Sequence, residues 1–521
     1  MSQAIQQHHN LTMHRDEQLL ATASALMPTL YSQAISPVSV INTVPDSHAL
    51  HGWRAEKVAD ASAWLKQSFS PGDSFILDFG THGVGWLNFS CEASGSPPDA
   101  PAHLEFIFGE TLCEMAEPFS DYQGWLSSSW LQQHHEYIDV LPADITLARR
   151  YCFRYLKVRV VALSPKYQLR FNHITLNSVS SAPDEYPPCN ATDPQLRKID
   201  EVAVRTLRNC MQEVFEDGPK RDRRLWLGDL RLQALVNDVT FANHDLVRRC
   251  LYLFAGHRRE DGMVSANIFV RPEVMADDTF LFDYSLFFVD TLYNYLQATR
   301  DMSTARELWP IAFRQVELAL ARCEAGLVTD SDDWWSFIDW HDRLNKQAAS
   351  QGVLIYCIDK AVRLAEVCAP EQGVFLHEQL ARVKCAAHQL WDEASGFYIS
   401  GSARQISAAS QIWLVLADVG DAAHQLNVMT NLLQSPPSIG MNTPYLRHHF
   451  IAALLKCGLR ERAVAEIKAY WGAMVDDGAD TFWELFDPQR PDFSPYGSKL
   501  INSYCHAWSC TPAWFIRQFG L

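Results

Sequence analysis

The stretch Glu216-Asp217-Gly218-Pro219-Lys220-Arg221-Asp222-Arg223-Arg224-Leu225-Trp226-Leu227-Gly228-Asp229 carries four acids and four bases in fourteen residues. Its net charge is zero, and apolar helical patterns flank it on both sides. Guanidinium forks and carboxylates satisfy one another when partly desolvated, so a balanced run of this kind is suited to burial. It reads either as a structural ion-pair cluster between helices or as a site in which one carboxylate stays free. Two further loops set acids beside tryptophans. Residues 329–343 include Asp333, Trp335, Asp339 and Trp340, and residues 476–487 include Trp483 and Glu484. Helix connections are ordinarily short and polar, so long loops rich in Trp and acid call for a reason. A carbohydrate supplies one: its C–H faces stack on indole and its hydroxyls bond to Asp, Glu, Arg and His. Hydrolysis of a glycoside then needs two carboxyl groups flanking the bond, one protonated and one ionised.

Other chemistries are excluded by what the chain lacks. There is no G-x-x-x-x-G-K-[ST] and no G-x-G-x-x-G after a strand, so phosphate cradles are missing. Neither a G-x-S-x-G elbow nor H-E-x-x-H occurs. Nothing demands a metal or an organic cofactor. A formal charge of −17 over 521 residues argues against nucleic-acid binding, which needs a clustered basic face. The thirteen cysteines are scattered without C-x-x-C spacing, and Cys505 and Cys510 read as small buried hydrophobes. The N-terminal residues show no basic region before an apolar core, and no apolar run reaches the roughly 20 residues that span a bilayer. A soluble cytoplasmic protein is expected, with no membrane contact.

The elements that must position these residues fall into two textures. Residues 1–45 are polar and read as a loose N-terminal segment, in which His8-His9 and His14 are more plausible as tail than as metal ligands. Residues 46–188 read as an antiparallel β-sandwich: short apolar or alternating runs such as 75–80, 86–90, 103–109, 151–161 and 167–171, punctuated by Gly, Pro, Asp and Ser. His134-His135-Glu136 looks like a metal triplet, yet neighbours on a strand face opposite ways. At Pro187-Pro188 the texture changes, and Thr192 or Asp193 before Pro194 is a suitable helix cap. From there to the end, residues 189–521, helical periodicity predicts about twelve helices, the last over 498–518. With no fixed repeat and no parallel-strand signal, they suggest a helical toroid rather than a solenoid.

The residues now quoted resemble those of glycoside hydrolase family 78, the inverting α-L-rhamnosidases. Asp217-Gly-Pro-Lys-Arg221-Asp222-Arg-Arg-Leu-Trp226-Leu-Gly228-Asp229 is similar to the family's D-C-P-x-R-D-E-R-x-G-W-x-G-D. Thr481-Phe-Trp483-Glu484-Leu-Phe-Asp487 is similar to T-x-W-E-x-W-D, and Asn502-Ser-Tyr-Cys-His506-Ala-Trp to S-x-N-H-Y-A-x. Asp283-Tyr-Ser-Leu resembles a helix start of the barrel. Asp78-Phe-Gly80 to Gly85-Trp86-Leu and Phe108-Gly-Glu110 resemble the preceding β-sandwich. The resemblance runs from about 75 to the end and implies an all-α (α/α)6 barrel after the sandwich, in a short member without further modules. It also implies an exo-acting enzyme that releases L-rhamnose from a small carbohydrate substrate, with a homodimer possible. Glu484 matches the general base. The first motif is one residue short: anchored on its left it sets Arg223 at the acid's place, and anchored on Trp226-Leu-Gly228-Asp229 it sets Asp222 there. Arginine cannot give up its proton, so Asp222 is taken as the general acid.

In that mechanism Glu484 takes a proton from water as it attacks the anomeric carbon, and Asp222 protonates the leaving oxygen. The two carboxyls should stand about 6.5–9.5 Å apart. Four cations beside a proton donor oppose its role, so Lys220, Arg221, Arg223 and Arg224 are expected to be occupied by Glu216, Asp217 and Asp229. Candidate sugar-binding residues are Asp217, Arg221, Trp226, Asp229, Asp333, Trp335, Trp340, Trp483 and His506. The competing readings are another (α/α)6 sugar hydrolase, such as a glucuronyl hydrolase or a glucosidase, and a sugar-binding protein without catalysis.

Overall fold

A computed structural model of the chain describes residues 11–183, 185–329 and 334–521. His8, His9 and Asp333 lie outside the described residues. Apolar side chains gather into two large cores, one within the strands up to about residue 180 and one among the helices that follow.

The first part is a ten-stranded antiparallel sheet with side strands. Its spine is Ser74–Gly95, in which the two runs expected at 75–80 and 86–90 form one continuous strand. This strand pairs with Tyr151–Ala162 along its first half and with Tyr167–Ser180 along its second. The change of partner falls at Gly85, where a Cβ would lie 1.9 Å from the Asn177 carbonyl oxygen, so only glycine allows the approach. Alternate residues such as Leu77, Phe79, Leu87 and Phe89 point inward and are buried.

Residues 11–45 are not a loose tail. Tyr31–Ile35 pairs with Tyr167–Ser180, and Ser39–Pro45 pairs with both Trp53–Asp60 and Ser74–Gly95. The helix Glu17–Ala25, capped by Asp16, buries Leu19, Leu20 and Ala23 against the helix His244–Gly256. His14 belongs to Met13–Arg15, which pairs with His257–Arg259. The polar texture misleads because Tyr31–Ile35 exposes most of its side chains and is held by its backbone.

Among the described residues, twelve helices of eight residues or more follow Asp193, whose carboxylate caps the first of them, Pro194–Cys210. Leu227–Asp238, Phe282–Thr299, Gln347–Cys368, Ala408–Leu416 and Pro444–Lys456 pack each on the next, and the intervening helices lie against them. Members of the first set are buried on nearly every side, as apolar all-round helices must be. The last expected helix, 498–518, is α-helical only over Pro512–Phe519, with single 3-10 turns at Lys499–Ile501 and Ala507–Ser509. The segment before it is spent on backbone bonds to the 481–484 segment, with the Glu484 N–H to Ser503 O at 3.0 Å and the His506 N–H to Phe482 O at 2.9 Å. No helix among the described residues is long and apolar enough to cross a membrane. All thirteen cysteines are free, with Cys505 and Cys510 fully buried.

Candidate active site

The loop 211–226 joins the helices Pro194–Cys210 and Leu227–Asp238 and lies between the strand-rich part, the helices and the 500–506 segment. Apart from a 4.0 Å contact between Arg221 and Asp222, its charges pair outward. The Lys220 ammonium donates to Glu114 Oε1 at 2.7 Å and to the carbonyls of Leu500 and Asn502. Arg221 donates to Glu484 Oε2 and to the Ile501 carbonyl. Arg223 bonds the Pro219 carbonyl at 2.8 Å, and Arg224 reaches Asn267 and Asp277 at 3.4 Å. Glu216 is taken by Arg150 of the strand-rich part at 2.7 Å. The expected pairing of these four cations with Glu216, Asp217 and Asp229 is therefore corrected. Side chains of a short loop diverge, and a loop held between three segments finds its partners on those segments.

Beyond these pairs the loop faces a cavity of about 470 Å³. Asp217, Arg221, Asp222, Trp226, Asp229, Trp335, Trp340, Glu484 and His506 all line it. Trp483 does not. Its indole lies against Phe486 and Tyr504 and lines a separate cleft of about 260 Å³. Backbone hydrogen bonds tie residues 481–484 to 503–506, and the adjacent Trp483 and Glu484 side chains turn to different cavities.

Glu484 is held on several sides. Its Oε1 accepts the Tyr496 hydroxyl, its Oε2 accepts Arg221 and the Ser503 N–H at 3.4 Å, and its carbonyl accepts the Trp508 indole N–H at 2.8 Å. Arg221 also touches the other candidate carboxyl, with Nη1 4.0 Å from Asp222 Oδ1. One guanidinium thus spans the two acids. The Asp222 side chain is 22 % exposed, against 5 % for Asp217 and 3 % for Asp229.

The tryptophan loop is positioned by two buried acids. Asp283, in the first turn of Phe282–Thr299, accepts the N–H groups of Phe337 and Ile338 at 3.0 Å. Asp339 accepts the Thr443 hydroxyl and the N–H groups of Trp340 and Asn442. Burial pushes the Asp339 carboxyl up to about 6. These acids build the loop and do not line the cavity.

Asp217, Asp229 and His506 form a group at the cavity wall. Burial, reinforced by Asp222, pushes Asp217 well above the usual carboxylate range, and burial with Glu484 does the same to Asp229. Burial, aided by Arg221, lowers His506 to about 3, so its ring is neutral at ordinary pH. The ring nitrogens stand 3.6 Å from Asp229 and 3.9 Å from Asp217, too far for hydrogen bonds. His506 Nδ1, Asp229 Oδ1 and the indole nitrogens of Trp226 and Trp340 are buried without a partner among the described residues. Four such atoms on residues of one cavity are what a polyhydroxylated ligand would satisfy.

His506 also yields a pH prediction. Its folded pKa lies below the unfolded 6.5, so the stability held by the neutral ring is complete above that value and is lost as pH falls toward 3. Scanning calorimetry between pH 7 and 4 is expected to show wild type losing stability relative to His506→Gln, at up to about 1.4 kcal/mol per pH unit. Parallel curves would mean that the ring titrates normally.

Several cavity residues carried no motif. Tyr496, which binds Glu484 and stacks under Arg221 with its centroid 4.2 Å from the guanidinium carbon, lies in a loop with no distinctive spacing. Trp125 and Trp130 reach the cavity from the strand-rich part. Asp277 and Asp278 form an acid pair that could have been noticed beside the loop at 261–267. Trp508 stood within the third motif.

A cavity of this make-up suits an enzyme that acts on sugars, and the comparisons make it a glycoside hydrolase. Residues 37–178 match the glycosyl hydrolase family 78 alpha-rhamnosidase N-terminal domain, and residues 188–519 match the bacterial alpha-L-rhamnosidase 6 hairpin glycosidase domain. The chain belongs to glycoside hydrolase family 78, and it is an α-L-rhamnosidase. A rhamnosidase from Klebsiella oxytoca, solved with rhamnose bound, is 67 % identical over 98 % of this chain and 100 % of that one, with a TM-score of 0.97. The family 78 rhamnosidase of Bacillus sp. GL1 shares the fold at 21 % identity and a TM-score of 0.75, over 89 % of this chain and 49 % of that one. The Streptomyces avermitilis α-L-rhamnosidase does so at 16 % and 0.64, over 94 % and 44 %. This chain thus spans about half the length of the latter two. No curated protein matches. The readings as glucuronyl hydrolase, glucosidase or non-catalytic binder are set aside by the family.

Proposed function

We propose that Asp222 and Glu484 carry the hydrolysis of terminal α-L-rhamnosides, with inversion at the anomeric carbon. The carrying observation is the Arg221 guanidinium, which bonds Glu484 and approaches Asp222 from another nitrogen. A pair bridged in this way is kept from direct contact, which suits an enzyme that admits water between sugar and base. Glu484, held by Tyr496, Ser503 and Arg221, is the base; Asp222, the most exposed acid of its group, is the proton donor. Asp217, Asp229 and His506 bind sugar hydroxyls, and Trp226, Trp335 and Trp340 offer apolar faces to the ring and its methyl group. Asp333 remains a candidate from sequence alone.

The helices from 189 onward form an (α/α)6 toroid and the preceding strands a β-sandwich. Successive packing of alternate helices and the six-hairpin family match support this reading. The same polypeptide is taken to be cytoplasmic, acting on small rhamnosides, with a homodimer possible. Proton NMR of fresh product tests the stereochemistry: β-L-rhamnose is expected first from an α-rhamnoside, and α-rhamnose appearing first would remove inversion.

A further inference from the structure

Lys220 and Glu114 form an ion pair whose two side chains are both 0 % exposed. Lys220 uses all three ammonium donors, to Glu114 Oε1 at 2.7 Å, Leu500 O at 2.9 Å and Asn502 O at 3.0 Å. Glu114 is itself fixed. Its Oε2 accepts the N–H groups of Glu110 at 2.7 Å and Thr111 at 3.0 Å, at the turn that closes the strand Ala102–Gly109. The turn admits no slack, since a Cβ on Gly109 would come within 2.6 Å of Met115 and 3.0 Å of Glu114. Glu110 attracts Lys220 at longer range but does not bond it, because its carboxylate is engaged by His82 and by the Tyr504 N–H, each at 2.8 Å. Lys220 stands two residues before Asp222, on backbone in no regular element.

We propose that Glu114, in the strand-rich part, is a positioning residue for proton donation: through Lys220 it fixes the loop that presents Asp222 to the leaving oxygen. This rests on the assignment of Asp222 as donor. Removing the Glu114 charge leaves a buried ammonium without its directly bonded counter-ion, with only the more distant Glu110 to offset it, and the loop shifts to satisfy it. Glu484 shares Arg221 with the moving loop, but its bonds to the Tyr496 hydroxyl, the Ser503 N–H and the Trp508 indole come from outside that loop and keep it in place. Loss of Glu114 therefore weakens protonation of the leaving group and spares activation of water.

The dependence of rate on leaving group separates this role from a merely structural one. A dinitrophenyl rhamnoside needs no protonation to depart, whereas an alkyl rhamnoside does. For Glu114→Gln, kcat is expected to fall about 100-fold on the alkyl substrate, the scale of a displaced catalytic group. On the dinitrophenyl substrate it is expected to stay within about threefold of wild type, since general acid catalysis contributes little there. A paired Glu114→Met, Lys220→Met enzyme removes both charges of the pair, and it keeps the test available if the single variant fails to fold; the same selective loss is expected of it. Equal losses on both substrates, or none, in whichever variant folds would overturn the proposal. Asp222→Asn is run alongside: if it shows no such selectivity while the Glu114 variants do, the donor assignment fails, and the proposal fails with it.

Discussion

Replacing Glu484 by glutamine is expected to lower kcat by about 10²–10⁴-fold, the span over which general base catalysis operates. The amide cannot accept a proton from water, while its oxygen can still take the Tyr496 hydroxyl or Arg221. The Arg221–Glu484 pair is almost fully buried, at 4 % and 3 % exposure. Breaking a buried pair costs about 3–5 kcal/mol, so folding must be checked by calorimetry before the rate is read. A Glu484→Ala enzyme adds a second readout. Azide needs no base, and entering the space of the missing carboxylate it should form a bond to the anomeric carbon as the aglycone leaves with its electron pair. The product expected is β-L-rhamnosyl azide, with rate restored in proportion to azide. Near-wild-type turnover in Glu484→Gln would remove this residue from the mechanism, and an α-configured azide would remove the geometry assigned to it.

The second large effect is expected at Asp222. Asparagine there cannot donate a proton, so kcat on an alkyl rhamnoside should fall about 10²–10⁴-fold while an activated aryl rhamnoside is hydrolysed almost as before. The alkaline fall of the pH–rate profile, which reports the required acid, should weaken with it. Two neighbours are rival donors, since burial raises Asp217 and Asp229 well above the usual carboxylate range and a general acid must hold its proton. Their exposures of 5 % and 3 % set them behind Asp222 at 22 %. Asparagine at either should therefore raise KM more than it changes the leaving-group dependence. Wild-type rates on the alkyl substrate in Asp222→Asn, with selective loss in Asp229→Asn, would move the donor to Asp229. Arg223, which the left-anchored alignment sets at the acid's place, turns to the Pro219 carbonyl and does not line the cavity.

Much of this was legible in the chain before any fold was known. Helical periodicity after Pro194 marked out most of the helices, because a helix buries a stripe at a period that local sequence records. The longer strands of the first part were legible by alternation, but Ser39–Pro45, Trp53–Asp60 and Ala143–Thr146 were not, nor was Tyr31–Ile35, an edge strand whose exposed side chains leave no apolar pattern. The acid-and-tryptophan loops announced sugar chemistry because that chemistry needs those residue types, and one-residue spacing set Asp222 apart from Arg223. Local sequence could not tell which charges pair. Lys220 and Glu114 are 106 residues apart, and Arg221 and Glu484 are 263 apart. Trp483 and Glu484 are adjacent, yet only the pairing of their segment with 503–506 decides that one faces the cavity and the other a separate cleft. Residue type and local period belong to the sequence. Which carboxylate stays free, which histidine loses its charge and which part of the chain steadies the proton donor are set by burial and by partners that only the folded chain brings together.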